Sequence, residues 1–202
     1  MDANTIRYAA LSHCWGPQGV DFKLLSRNVD AFRLQIHWDI LSLTFQEAIL
    51  AATRLGIQYI WIDALCIVQD SAEDWKIEAS RMMQVYTNCY INISADASTD
   101  GTGGLFRQRD PARFQPFLVT PGGNGSNAPF YCYSNNWGKY VERAPLIKRS
   151  WVTQERFMSP RIVHFSNDQS VGCPERRSGA DFTSTPTIPE GSEYCMAYGM
   201  TW

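Results

Sequence analysis

Apolar residues change their spacing several times along this chain, and each change marks an element. Residues 7–13 predict a first strand, ended by the turn-forming Trp15-Gly16-Pro17. Residues 18–42 have no sustained period and predict a loop with a short helix. Thr44-Phe-Gln-Glu47 has the form of a capping box. It opens a predicted helix over 44–55, whose Phe45, Ala48, Ile49 and Ala52 follow the helical period, with Gly56 as its stop. A strand over 57–62 follows. Ser71-Ala-Glu-Asp74 is a second capping box, starting a helix that runs to about Asn88, and 90–94 is the next strand.

Strand, helix, strand, helix, strand is the rhythm of a mostly parallel sheet, so the expected fold class is α/β, a sheet flanked by helices in three layers. Beyond Ala95 the pattern loosens. Ser98–Gly104 reads as a polar loop and Pro116–Pro129 as a Gly/Asn-rich hairpin or loop. Arg149–Met158 reads as a helix and Arg161–Phe165 as a strand. From Ser166 the chain is polar and carries Pro174, Pro186 and Pro189, which predicts an irregular extension. The expected organisation is one domain over 1–165 and an extension over 166–202.

The stretch Tyr59-Ile-Trp-Ile-Asp-Ala-Leu-Cys-Ile-Val-Gln-Asp70 reads as a strand covered on both faces, with Asp63 in its middle. A carboxylate there is costly unless it is paired, capping or catalytic. Asp63 ends a predicted parallel strand, where open α/β sheets bind ligands, and it suits a turn cap equally well. Ser12, His13 and Trp15 end the first strand and belong to the same rim. On the wheel of helix 72–88, Trp75, Ala79, Met82 and Tyr86 form an apolar stripe, and Glu78 falls inside it. Glu78 is read either as half of an ion pair, with Arg149 or Arg54, or as a catalytic acid. In Arg149-Ser-Trp-Val-Thr-Gln-Glu155, the arginine and the glutamate can bridge towards Asp63 and Glu78; the plainer reading packs Trp151 and leaves Glu155 facing solvent or paired with an arginine.

Composition narrows the function classes. Hydrophobic residues make up 45% and aromatic residues 13% of the 202 positions, enough for a real core. A net charge of −2 with mixed signs lacks the footprint of a nucleic-acid binder. No apolar run is long enough for a membrane span and the amino terminus has no signal-peptide character, so a cytoplasmic protein is expected. The six cysteines are scattered without a C-x-x-C pair and the histidines number three, which predicts reduced thiols and no metal site. Cys66 is expected to be a buried, inert thiol. The sequons at Asn92 and Asn124 read as accidental, the first because it lies in a strand. Phosphate-loop, dinucleotide-fingerprint, zinc-protease and nucleophile-elbow motifs do not occur, and no cofactor is expected.

Four spaced blocks carry a family resemblance: Tyr8–Gly16, Phe45–Gln69, Asp74–Ala95 (Asp-Trp-x-x-Glu, then Met82, Val85-Tyr86 and Asn88) and Arg149–Ser159 (Arg-x-Trp-x-x-Gln-Glu-Arg-x-x-Ser). In this order the chain resembles the heterokaryon-incompatibility (HET) domain of filamentous fungi over about residues 7–165. Departures are His13 where Tyr is commoner, Cys89 where Ala is usual, and Val171-Gly-Cys173 where a Trp often precedes the Cys. The resemblance implies nonself recognition ending in programmed cell death. HET domains are in turn similar to TIR domains, some of which cleave NAD⁺ with a helical Glu. That similarity implies Glu78 as catalytic residue, with Ser12, Trp15, Asp63, Trp75 and Arg149 shaping a pocket for NAD⁺ or a related nucleotide. The alternative it leaves open is an interaction module acting through self-association or other incompatibility proteins, without nucleic acid or membrane. HET proteins are often longer, and Tyr194–Tyr198 with Trp202 looks like the start of a further segment, which makes the chain a fragment or a short gene product.

Overall fold

The computed structural model describes residues 6–108, 117–119, 130–132, 141–167 and 170–173. Its centre is a sheet in the order β2-β1-β3-β6-β7, formed by Tyr59–Trp61, Tyr8–Ser12, Ile91–Ser94, Ile162–Phe165 and Ser170–Cys173. The first four strands are parallel, and β7 returns antiparallel along β6. The α/β class read from the sequence is therefore the observed one. A separate antiparallel pair joins β4 (Phe117–Val119) to β5 (Phe130–Cys132), flanking the expected Gly/Asn-rich segment, most of which lies outside the described residues.

Alternation along β1 divides the core. Ala9 and Leu11 face one side with Phe45, Ala48 and Ala52 of α2 (Leu43–Arg54), together with Ile62, Ile93 and Leu105. Ala10 faces the other side with Tyr86 and Cys89, at the end of α4 (Ala72–Asn88). Alanines on both faces of β1 let helices approach the sheet closely, and Phe45 fills the space this leaves. Removing that ring would cost about 3–5 kcal/mol in transfer and cavity terms. The helix α5 (Ser150–Met158) packs beside α4. A short helix α1 (Val29–Leu34) supplies the expected helix in the first long loop.

Several local expectations are corrected. The cap of α2 is Ser42, whose Oγ accepts from the Phe45 amide at 3.4 Å, not Thr44. Thr44 and Glu47 are occupied elsewhere: the Thr44 hydroxyl accepts from the Gly104 amide at 3.1 Å, and the Glu47 carboxylate accepts from the amides of Leu105 and Phe106. These two side chains pin the loop after β3 to α2. At Ser71 the capping bond is present, from the Asp74 amide at 3.2 Å. The Tyr59–Asp70 stretch is not one doubly covered strand. β2 is a three-residue edge strand, and Asp63–Cys66 turns into a short helix, α3. Cys66 on that turn is exposed, contrary to expectation, whereas Cys14 and Cys89 are buried. The strand β7 falls in the stretch expected to be irregular.

Candidate functional site

The strand order reverses at β1, which pairs with β2 on one side and β3 on the other. Crevices at such reversals open beyond the carboxyl ends of the strands. Here those ends carry Ser12 and His13, Asp63, and Ser94 to Asp96.

Asp63 is the hub. It follows β2 directly, and its side chain keeps 15% exposure. Its Oδ2 accepts from Trp15 Nε1 at 2.9 Å, and its Oδ1 accepts from the Ala64 amide at 2.7 Å. His13 Nε2 lies 3.6 Å from Oδ1, and Arg149 Nη2 lies 3.9 Å from Oδ2. Gln69 steadies the turn, donating from Nε2 to the carbonyls of Asp63 and Ile67. Asp63 therefore caps its turn and also gathers three side chains. Arg149 donates to the His13 carbonyl as well, which ties the start of α5 to the end of β1. His13 is almost fully buried, its ring edge-on to Phe45 at 5.0 Å. Burial lowers its pKa against the opposing pull of Asp63, so the ring is neutral at pH 7. Neither ring nitrogen has a hydrogen-bond partner among the described residues.

Beside this hub lies a second acid, Glu155, which is only 4% exposed. It reaches the sheet because α5 buries Val152 and Glu155, three positions apart, on one face. That spacing was the available signal in the sequence, and it overturns the reading of Glu155 as a solvent-facing residue. Burial raises the Glu155 pKa; the Ser12 hydroxyl, the Arg149 charge and the Tyr86 hydroxyl pull it back, while Asp63 pushes it further up. Each hydroxyl already spends its proton. Ser12 Oγ donates to Asn92 Oδ1 at 3.1 Å and Tyr86 Oη donates to the Leu11 carbonyl at 3.3 Å. Glu155 Oε2 has no hydrogen-bond partner among the described residues. Glu155 is also one of the residues around a shallow, water-sized cleft between α4 and α5, together with Met82, Met83, Tyr86, Trp151, Gln154 and Met158.

The sequence-predicted residues divide into two groups. Trp15, Asp63 and Arg149 meet directly, and Ser12 joins them through Glu155. Trp75 and Glu78 lie on α4. Glu78 shares the inward row of Asp74, Met82 and Tyr86, but its side chain is 21% exposed and pairs at 3.0 Å with Arg81, not with Arg149 or Arg54. Trp75 is 52% exposed rather than part of a packed stripe.

A third acid closes the carboxyl end of the sheet. Asp96, fully buried, accepts from Ser94 Oγ at 2.6 Å through one oxygen. Its other oxygen meets His164 Nδ1 at 2.8 Å and Ser166 Oγ at 3.3 Å. Among the described residues no group of three or more His, Cys, Asp or Glu side chains could hold a metal ion. No helix there is long and apolar enough to cross a membrane.

No curated protein and no solved structure gives a significant match to the chain. The family model described as heterokaryon incompatibility protein (HET) matches residues 8–155, a span that runs from the first strand to the buried glutamate. The chain belongs to the heterokaryon incompatibility family, with the role in incompatibility which that membership carries.

Proposed function

We propose that this domain triggers cell death by hydrolysing NAD⁺ or a related nucleotide, with Glu155, beside the carboxyl end of β1, as its acid. One observation carries the reading: the buried Glu155 carboxyl group, beside Ser12 at the carboxyl end of β1, keeps one oxygen without a hydrogen-bond partner among the described residues. Burial of this kind tunes an acid toward neutral pH, where it serves best as a proton acceptor. In the proposed reaction the bond between the ribose C1′ and the nicotinamide nitrogen breaks, and its electron pair leaves with the ring as neutral nicotinamide. The Glu155 carboxylate stabilises the positive charge on the ribose. Water adds at C1′ and passes its proton to Glu155, giving ADP-ribose. Arg149 and Trp15, gathered by Asp63, stand on the rim at the end of β1, and the Ser12 hydroxyl lies beside the Glu155 carboxyl group. Glu78 is the other candidate acid, one helical turn from Met82.

The direct test incubates the purified domain with NAD⁺ at high protein concentration beside Glu155→Gln and Glu78→Gln. The reading expects nicotinamide release by wild type and none by Glu155→Gln. Loss in Glu78→Gln alone would transfer the role to that residue. A second reading, a module that kills through self-association or partner binding, is favoured by exposed Trp75, Ile77, Met83 and Trp151 on α4 and α5. Full killing by Glu155→Gln and Glu78→Gln would support it.

A further inference from the structure

We propose that Asn92 is a positioning residue for Glu155, acting through Ser12: its side-chain amide turns over as Glu155 gains or loses a proton, and so directs the Ser12 hydroxyl away from the carboxyl group or onto it. The effect on catalysis rests on the hydrolase reading, but the relay itself belongs to three side chains and needs no substrate. Ser12, Asn92 and Glu155 are all buried. Register brings the first two together. Ala10 pairs with Asn92 and Ser12 with Ser94, so Ser12 and Asn92 are diagonal neighbours on the face of the sheet that carries Ala10 and that α4 covers. Glu155 enters from α5 and stands beside the Ser12 hydroxyl.

Two polar atoms in this cluster have no hydrogen-bond partner among the described residues: Nδ2 of Asn92 and Oε2 of Glu155. One is a donor, the other an acceptor, and Ser12 lies beside both residues. Its hydroxyl carries one proton and can also accept. In the structure that proton goes to Asn92 Oδ1 at 3.1 Å. This arrangement suits a protonated Glu155, which is itself a donor and meets a free lone pair on Ser12 Oγ. It fails the carboxylate, which can only accept. A half-turn of the Asn92 amide reverses the chain. Nδ2 then donates to Ser12 Oγ, and the hydroxyl proton swings to the carboxylate, where a charge-assisted bond is stronger than the neutral one it replaces. One rotation thus gives a partner to the amide nitrogen and to the acid together. The amide oxygen loses its donor, a condition that buried oxygens tolerate better than buried N–H groups do. No proton passes along the chain; the O–H only changes direction. The other titratable and charged groups facing Glu155 are Arg149 at the start of α5, Asp63 on α3, Tyr86 on α4 and Cys14 after β1. Tyr86 and Arg149 are bound to the carbonyls of Leu11 and His13, which are backbone and cannot turn. Ser12, whose acceptor is a rotatable amide, is the adaptable neighbour.

Nuclear magnetic resonance on the substrate-free protein tests the relay. Glutamate carboxyl carbons and asparagine side-chain amides are followed as pH rises from about 4.5, the ordinary value for a glutamate. Glu155→Gln and Asn92→Leu identify the two signals. The Asn92 amide protons should shift with the same midpoint as the Glu155 carbon. In Ser12→Ala the carbon should still titrate, at higher pH because a bond to the carboxylate is gone, while the amide stays still. Ser12→Cys keeps a weaker donor and acceptor and should restore part of the amide shift. Thermal melts confirm that both variants fold. An amide that does not move in wild type overturns the relay. So does one that moves as far in Ser12→Ala as in wild type, since the field of the charge alone would then account for it. If wild type releases nicotinamide, the acid limb of its pH profile should move upward in Ser12→Ala. A Ser12-dependent amide shift in a protein that cleaves no NAD⁺ upholds the relay and defeats the hydrolase reading instead.

Discussion

Asp96 and Glu155 are both buried near the carboxyl end of the sheet, yet both oxygens of the first are paired, whereas one oxygen of the second has no partner among the described residues. Asp96 takes a hydroxyl on one oxygen and an imidazole and a hydroxyl on the other. Glu155 lies beside two hydroxyls whose protons are committed to Asn92 and Leu11, and one of its oxygens has no partner among the described residues. A carboxylate whose needs are met holds strands together and has nothing left to offer a ligand. One whose needs are unmet is strained in its charged form, and a substrate or a proton relieves it. The same residue chemistry serves structure in one place and, in the proposed reaction, reactivity in the other.

The comparison breaks most sharply at Asp96. Asp96→Asn removes the buried charge and turns one of its two acceptor oxygens into an amide donor, which then faces either Ser94 or His164 and Ser166, and should cost about 3–5 kcal/mol, seen as a large fall in melting temperature. A mild effect would mean that Asp96 is not the structural member of the pair. Next in size is Arg149→Met, which keeps the stem but removes the bond to the His13 carbonyl and the charge beside Asp63. A loss of about 1.5–3 kcal/mol is expected in denaturant unfolding, together with weaker activity, because the rim loosens.

Glu155→Gln is expected to change the melt little near neutral pH while abolishing activity. Its signature is in the pH dependence. A raised pKa in the folded state means that the native protein holds the proton which the unfolded chain releases above about pH 4.5. Stability therefore falls as pH rises from that value through the elevated pKa. Under the proposed reaction, activity should rise over the same interval, because there the carboxylate form does the work. His13, with its pKa lowered from 6.5, gives the opposite slope: stability is lost as pH falls from 6.5 towards its folded value. Unfolding measured across pH should show Glu155→Gln removing the first slope and keeping the second. A wild-type slope retained in the variant would assign it to another group. The smallest effect belongs to Glu78→Gln, which breaks a partly exposed pair with Arg81 worth about 0.3–0.5 kcal/mol. Its melt should match wild type, so any loss of killing there would be chemical rather than structural.

Much of the frame was legible because the hydrophobic period is unambiguous where strands and helices are buried: β1, α2, α4 and β3 lie where the pattern puts them. The misses share a cause, which is that polar residues have several possible partners. Thr44-x-x-Glu47 has the form of a cap, yet its side chains are drawn across to the loop after β3. β7 is an edge strand in a polar stretch and needs no strong apolar signal. Glu78 looked buried on a wheel, but α4 packs so lightly that of its seventeen residues only Tyr86 is fully buried. Glu155 looked ordinary because the three-residue spacing from Val152 shows only that the two share a helix face, not that this face is the buried one. Of the site, Trp15, Asp63 and Arg149 were legible as a group; the acid that completes it depended on how α5 docks.

The edge-on contact between His13 and Phe45 has a genetic consequence. Phe45 is the largest fully buried side chain among the described residues, and it props the residue whose carbonyl anchors Arg149. Conservative changes such as Phe45→Leu should thus yield alleles that support incompatibility at low temperature and fail at high temperature, the rim slackening before the sheet unfolds. A screen for escape from incompatibility would recover them beside Glu155 alleles, and a shift in growth temperature would separate the two classes.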